Sequence, residues 1–236
     1  MKVIFLGTPE FACECLKGIL SSKHQVVCVV CQPDKPSGRG NKLCPPPAKL
    51  LALENNIPVY QFNKIRVDGV ETLKSLNADI MVTAAYGQIL SQEIIDICPH
   101  KIINVHGSLL PKLRGASPIQ TAILHGDKTT GITIMETEAG VDTGAIYMQE
   151  QMAIDDNDTY GTLSEKLSKM GAKMVVDALD LIESGKAVKV KQNDDEATFT
   201  KMIKQAIKIL IKSSYPSLYP NHLPICIKTS NVEVLR

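Results

Sequence analysis

An asparagine and a histidine two residues apart are the most chemically suggestive pair in this chain. Asn104 and His106 lie at the end of an apolar stretch, 101–105, that is typical of a β-strand, and residues two apart on a strand share a face. Asp142 lies in a second, turn-rich loop, 138–144, which follows another strand-like stretch. In open α/β sheets, sites form at the carboxyl ends of strands, so we expect these three side chains to meet.

These residue types suit the transfer of an acyl group to an amine. Attack on a carbonyl places negative charge on its oxygen, which the Asn104 amide and a protonated His106 could stabilise. The attacking amine loses a proton, and histidine is the usual side chain for moving protons near neutral pH. A carboxylate such as Asp142 would orient the imidazole and favour its charged form. No serine or cysteine nucleophile is required if the amine attacks directly.

The same residues also have a purely structural interpretation. In it, His106 is a buried histidine hydrogen-bonded at a strand end, and Asp142 caps a turn. Spacing alone leaves both interpretations open, because a motif match is only a hypothesis.

The elements that would position these residues alternate along the first part of the chain. Strand-like runs rich in Val and Ile follow helix-like runs, which predicts a parallel sheet covered on both faces. We therefore predict an α/β fold with a doubly wound, mostly parallel sheet. The predicted strands are 2–7, 25–31, 58–61, 79–85, 101–105, 131–136 and 145–152, and the predicted helices are 9–21, 48–55, 67–76, 92–97 and 162–184.

Composition changes toward the end of the chain. We predict a catalytic domain over 1–186 and a polar linker over 187–202. The last stretch, 203–236, is an atypical tail without a recognised domain, because it becomes rich in Ser, Tyr and Pro and lacks the period of a strand or helix.

Bulk properties exclude several classes of protein. The net charge of +1 means that any contact with nucleic acid must come from local patches. No apolar run approaches the ~20 residues of a membrane span. The opening run, 2–7, is short and ends in a turn, which indicates a first strand rather than a signal peptide. A cytoplasmic monomer without membrane contact is expected.

The seven cysteines do not indicate a metal site. Cys28 and Cys31 lie in an apolar run that is typical of a buried strand, and residues three apart on a strand point to opposite faces. They are therefore expected to be core thiols, and no metal is predicted.

A long basic loop follows the second predicted strand. Between 34 and 49 lie four basic residues, Lys35, Arg39, Lys42 and Lys49, and a single acid. Glycines at 38 and 40 would leave Arg39 on a flexible rim where it could meet phosphates or a base. Long connections inside a compact domain tend to be functional, although a solvated surface loop is the commoner outcome.

Several of these motifs together resemble methionyl-tRNA formyltransferases. The resemblance runs nearly continuously from the start of the chain to about residue 200. The segments that carry it are NVHGSLLPKLRGASPIQ at 104–120, TGITIM at 130–135, AGVDTG at 139–144, GTPEFA at 7–12, AYG at 85–87 and QPDKPSGRG at 32–40.

The resemblance implies a formyltransferase with a Rossmann-like fold that acts in translation initiation. It implies that Asn104, His106 and Asp142 are catalytic. It implies transfer of a formyl group from 10-formyltetrahydrofolate, the cosubstrate, to the methionine amine of initiator methionyl-tRNA. The residues expected at the folate are Ser108, Leu109, Leu110 and Pro111, and those expected at the tRNA are Arg39, Lys35 and Lys42. Tyr86 and Gly87 are also expected at the folate because they follow a strand and could line the pocket, although a core tyrosine is nearly as common an outcome.

The chain departs from that family after residue 200. Full-length members continue into a β-barrel domain that helps to hold tRNA, and the 36 residues that follow Thr200 show none of its pattern. Two alternatives therefore stay open. One is a 10-formyltetrahydrofolate enzyme that formylates a small amine, such as glycinamide ribonucleotide or an amino-sugar nucleotide. The other is a truncated, weakly active folate- or RNA-binding remnant.

Overall fold

The computed structural model describes residues 1–37 and 42–203. Met1–Thr200 form one compact unit. The predicted tail, 203–236, lies outside the described residues except for Ile203.

Most strands of the described chain join one seven-stranded sheet, ordered β10-β9-β7-β6-β1-β2-β5. The strands from β5 to β7 in that order are parallel, whereas β9 is antiparallel to both β7 and β10. The prediction of a mostly parallel α/β sheet is confirmed. The strands are β1 (Lys2–Gly7), β2 (Gln25–Cys31), β3 (Lys35–Ser37), β4 (Lys42–Cys44), β5 (Val59–Gln61), β6 (Ile80–Ala84), β7 (Ile102–His106), β8 (Arg114–Gly115), β9 (Thr129–Glu136), β10 (Ile146–Ala153) and β11 (Phe199–Thr200).

Helices cover both faces of this sheet, and each face has its own hydrophobic cluster. The helices are α1 (Glu10–Leu20), α2 (Pro47–Glu54), α3 (Ile65–Asp68), α4 (Val70–Ser75), α5 (Gln92–Ile95), α6 (Pro118–His125) and α7 (Tyr160–Glu183). Cys31 and Val29 belong to the cluster that packs on α1 and α7, and Cys28 and Val30 belong to the cluster that packs on α3 to α5. The prediction that Cys28 and Cys31 are core residues on opposite faces is confirmed.

The long helix α7 closes one face because its apolar residues repeat at helical spacing. Thr159 caps its first turn and, with Thr162, forms a reciprocal capping box. Its buried stripe includes Leu163, Leu167 and Val175 and packs on α1 and β9.

Local differences from the predicted elements have local causes. The predicted helix 67–76 is two short helices, because Gly69 ends α3 and begins the turn into α4. The β3–β4 pair, α6 and the short β8–β11 pair were not predicted. α6 begins with Pro118 and ends at Gly126, whose φ of 68° is left-handed, a common way for a helix to stop.

The segment that was predicted to be a linker, 187–202, differs most from expectation. Up to Thr200 it packs on the compact unit: Val190 pairs with Ile146, and Phe199 pairs with Arg114. The contacts of this segment are hydrogen bonds rather than apolar packing, so its sequence is polar. A polar sequence is also typical of a linker, which explains the prediction.

None of the described helices combines the length and the apolar character that crossing a membrane requires.

Candidate active site

The sheet order places a crevice at the carboxyl ends of β1 and β6. The chain runs from β1 outward to β2 and β5 and then returns to β6 on the other side of β1. Ligands of open α/β sheets bind at such a reversal point. There the Thr8 hydroxyl and the Gln32 side-chain amide both donate to the carbonyl oxygen of Tyr86, at 3.1 Å each. These bonds join the ends of β1, β2 and β6.

Asn104 and His106 lie on one face of β7, beside this crevice. Ile103 and Val105 pack into the cluster under α7, so the alternation of a strand turns Asn104 and His106 the other way. The predicted shared face of the two residues is confirmed.

Thr83 fixes the amide of Asn104. The two residues are register partners on β6 and β7, and the Thr83 hydroxyl donates to Asn104 Oδ1 at 2.8 Å. Because the amide oxygen is thereby occupied, the amide nitrogen is left as a donor for other groups. Sequence reasoning missed Thr83. The signal was present, since Thr83 is the polar residue of the otherwise apolar strand 80–84.

His106 lies between two acceptors. Its Nε2 is 3.1 Å from the carbonyl oxygen of Leu113, and its Nδ1 is 3.6 Å from Asp142 Oδ2. The second distance is longer than a hydrogen bond but short for a charge pair. A doubly protonated ring has an N–H for each acceptor. The ring is 6 % exposed, so the Coulombic interaction with Asp142 is only weakly screened.

Asp142 lies in the loop between β9 and β10, with a left-handed φ of 51°. Its Oδ2 accepts a hydrogen bond from the backbone N–H of Gly115 at 2.8 Å. The structure therefore brings together all three predicted catalytic residues, Asn104, His106 and Asp142.

The segment predicted to bind folate, from Ser108 to Pro111, is held by side chains of the neighbouring strands. Thr133 donates to the Ser108 carbonyl and accepts from the Leu110 N–H, and Gln149 donates to the Leu110 carbonyl. The Ser108 hydroxyl donates to the Lys112 carbonyl at 2.6 Å. Ser108 and Leu110 are buried, whereas Leu109 and Pro111 are partly exposed.

Tyr86 and Gly87 follow β6 at the crevice. The Tyr86 side chain is buried in the cluster under α3 to α5, and burial raises the pKa of its hydroxyl. The tyrosine is therefore a core residue, and its backbone carbonyl lies at the crevice. Gly87 is exposed, with a φ of 83°.

The basic loop contains the antiparallel strands β3 and β4, and Arg39 lies outside the described residues. Lys35 is exposed on β3, and Lys42 begins β4. Lys49, the last basic residue of the loop, is paired within the fold. Its Nζ bonds both carboxylate oxygens of Asp34, at 2.9 Å each.

Within the described residues, one group of side chains has the spacing of metal ligands: His24, Asp180 and Glu183. It lies at the amino end of β2 and the end of α7, away from the crevice. Lys23 already pairs with Asp180 and Glu183, at 3.0 and 2.9 Å. This cation neutralises the carboxylates, so the cluster is an ion-pair network.

The fold and this arrangement define an α/β group-transfer enzyme, and comparison with known proteins specifies the group. Residues 1–179 match the family model described as formyl transferase. Methionyl-tRNA formyltransferase of Acetivibrio thermocellus is 45 % identical over 208 residues, covering 88 % of this chain and 67 % of the relative.

Two solved structures share the fold. Glycinamide ribonucleotide transformylase 1 from Symbiobacterium toebii has a TM-score of 0.68 at 19 % identity and covers 82 % of this chain and 94 % of its own. The N-formyltransferase from Helicobacter canadensis, solved with folinic acid and dTDP-3-aminofucose, has a TM-score of 0.66 at 22 % identity. The match covers 85 % of this chain and 70 % of the Helicobacter chain. The chain is thus a formyltransferase by fold and family. It belongs to the methionyl-tRNA formyltransferase family.

Proposed function

We propose that this enzyme transfers a formyl group from 10-formyltetrahydrofolate to the amino group of methionine on initiator tRNA. The observation that carries the proposal is the meeting of Asn104, His106 and Asp142 at the carboxyl end of β7, with His106 Nδ1 3.6 Å from Asp142 Oδ2. The sequence relative named above, a methionyl-tRNA formyltransferase, supports the tRNA substrate.

The side chains of the site suit a reaction in which a separate molecule carries the formyl group. The Ser108 hydroxyl donates to the Lys112 carbonyl, which is not a general base, so this contact does not activate it as a nucleophile. Direct attack by the amine at Asn104 and His106 suits a donor that brings an already activated formyl group, which 10-formyltetrahydrofolate supplies when bound. We propose that the partly exposed Leu109 and Pro111, with the backbone of Tyr86 and Gly87, hold it.

The side chains then have distinct tasks. The Asn104 amide nitrogen, directed by Thr83, stabilises the negative charge that develops on a carbonyl oxygen under attack. As the amine bonds to the formyl carbon and the bond from that carbon to N10 of the folate breaks, His106 passes the proton that the amine loses to the departing N10. Asp142 orients the imidazole, as the carboxylates of other acid–base pairs do.

The test is an assay of formyl transfer with the full chain. The chain is incubated with 10-formyltetrahydrofolate and either methionyl initiator tRNA, glycinamide ribonucleotide or an amino-sugar nucleotide. We expect N-formylmethionine on the tRNA as the main product. Faster transfer to a small amine would overturn the tRNA assignment, and no transfer to any of the amines would favour the binding remnant.

We also propose that Lys35, Arg39 and Lys42 contact the tRNA. Arg39→Ala should raise KM for the charged tRNA and leave binding of the formyl donor unchanged. Because phosphate contacts release counterions, the difference from wild type should shrink as salt rises. Unchanged tRNA kinetics across a salt series would make the basic loop a surface connection only.

A further inference from the structure

The loop that carries Asp142 has an uncommon backbone conformation. Asp142 has a φ of 51°, in the left-handed region, which aspartate adopts more readily than most residues with a Cβ. Such conformations persist where surrounding contacts hold them. Contacts from a distant part of the chain hold this loop.

Gln192 supplies that contact from a distant part of the chain. Its side chain is buried at 5 % exposure, and its Nε2 donates to the carbonyl oxygens of Asp142 at 2.9 Å and of Gly144 at 2.7 Å. One amide group therefore hydrogen-bonds to the backbone of the loop on both sides of Thr143. The two N–H donors of the amide are both used.

Arg114 fixes the orientation of the Gln192 side-chain amide. Its Nε and Nη2 both donate to Gln192 Oε1, at 3.0 and 2.8 Å. A flipped amide would set its NH₂ against the guanidinium and its oxygen against two carbonyl oxygens. The charge of the buried guanidinium, 3 % exposed, is balanced by Asp194 at 2.8 Å.

The same short strand also holds the carboxylate. Gly115, next to Arg114 on β8, gives the N–H that bonds Asp142 Oδ2, and Arg114 N donates to the Thr198 carbonyl at 2.8 Å. The backbone and the side chain of Asp142 are thus both fixed by β8 and by the segment that pairs with it.

We propose that Arg114 and Gln192 form a clamp whose role is to hold Asp142 where its carboxylate faces His106. The proposal rests on the proposed function, because it assigns the two residues as positioning residues for that site. Neither side chain touches His106 or the reacting atoms. Their effect on catalysis passes through the placement of Asp142.

The test uses steady-state formylation of methionyl-tRNA by the full chain. Gln192→Glu keeps an oxygen for Arg114 and removes the donor that holds the two carbonyls. A catalytic group displaced by about 1 Å costs about 100-fold in rate. We expect a fall in kcat of that size, with KM for tRNA and for the formyl donor nearly unchanged. Gln151→Glu makes the same exchange on β10, at an exposed side chain that has no hydrogen bond among the described residues, and should retain wild-type kcat.

A double variant separates positioning from general damage. If Gln192 acts through Asp142, then Asp142→Asn with Gln192→Glu should be no slower than Asp142→Asn alone. Normal kcat in Gln192→Glu, or a second full loss in the double variant, would overturn the proposal. If Gln192→Glu does not fold, Gln192→Met removes the same donor and carries the same expectations.

Hydrogen exchange gives a readout that does not depend on activity. Loss of the clamp should speed exchange of the amides in 142–144, and the Gln151→Glu control should not. If the wild-type chain transfers no formyl group to tRNA, the proposed function fails and the clamp is judged by exchange alone. Unchanged exchange in Gln192→Glu would then overturn the clamp.

Discussion

Single residues at the carboxyl end of β7 differ in how they are fixed, and this difference determines what each is expected to contribute. The Asn104 amide is set by one hydroxyl, and His106 is set by a carbonyl and a nearby carboxylate. The proposed reaction uses no covalent nucleophile and depends on how these two side chains are placed. Its rate should therefore be sensitive to small changes in them.

His106→Ala and Asp142→Ala should each lower kcat far more than they change affinity for the formyl donor. General acid–base groups contribute about 100- to 10,000-fold, mainly in the transition state. Single-turnover formylation together with a donor-binding titration measures both quantities. Near-normal turnover in either variant would remove that residue from the mechanism.

Thr83→Val should lower kcat about tenfold and lower the free energy of unfolding by about 1 kcal/mol. The substitution is nearly isosteric and removes the donor that fixes Asn104 Oδ1, a hydrogen bond worth about 1 kcal/mol. Thr130→Val is the matched control, because the buried Thr130 hydroxyl has no hydrogen-bond partner among the residues that the structure describes. Equal kinetics for the two valine variants would contradict the role of Thr83.

At the scale of elements, the site depends on how closely α1 and α7 approach each other over the sheet. A Cβ at Gly18 of α1 would lie 2.6 Å from the Ala172 carbonyl oxygen of α7, and one at Gly171 would lie 2.9 Å from a Val105 methyl. Both approaches therefore require glycine. They set α7 directly behind the strand that carries Asn104 and His106.

Gly18→Val should lower the free energy of unfolding by about 1–3 kcal/mol, the usual cost of overpacking. In a chain of this size that corresponds to roughly 2–4 °C in Tm for each kcal/mol. Gly161→Ala, in the first turn of α7, is the control, because its nearest neighbour lies 3.6 Å away. A Gly18→Val protein as stable as this control would disprove the close contact.

Predicting elements from the sequence succeeded where burial is apolar and failed where it is polar. Strand β2 was predicted correctly because its Val and Cys residues alternate between two hydrophobic clusters. The stretch ending at Thr200 was misassigned because Gln192, Thr198 and Thr200 are fixed by hydrogen bonds to the backbone and to Arg114. Hydropathy does not distinguish such residues from solvated ones.

The candidate site shows the same division. Its three central residues were found from type and spacing, since strand alternation fixes which side chains share a face. Thr83 and Gln192 were missed because their partners lie 21 and 50 residues away in the chain. No local pattern encodes a pairing at that separation.

At the scale of the whole molecule, ionisable groups at the amino ends of the strands connect the first and last parts of the described fold. His24 is buried there, and burial, followed by the positive Met1 amino group, lowers its pKa below 6.5. Glu183 is paired with that amino group and with Lys23, which lowers its pKa to about 2. As the pH falls, protonation of His24 should therefore be the first change that destabilises this end of the molecule, before protonation of Glu183.

Stability should fall as the pH drops below about 6.5, because the unfolded chain takes up a proton on His24 that the folded chain resists. The contribution of neutral His24 to stability is fully present above that pH. It is lost as the pH falls toward the lower pKa that His24 has in the folded chain. Urea unfolding at a series of pH values measures it. His24→Gln should flatten the profile between about pH 7 and 5, and His125→Gln, at an exposed position, should not. Parallel profiles for wild type and His24→Gln would contradict this assignment.

The dependence of Asp142 on Gln192 has a consequence for the order of synthesis. A ribosome makes Asn104, His106 and Asp142 first and adds Gln192 only 50 residues after Asp142. A nascent chain that stops at residue 179, where the family match ends, carries the proposed catalytic side chains without the contacts from Gln192. If the clamp is needed, catalytic competence should appear late and abruptly during translation, once the chain through Thr200 has left the ribosomal tunnel.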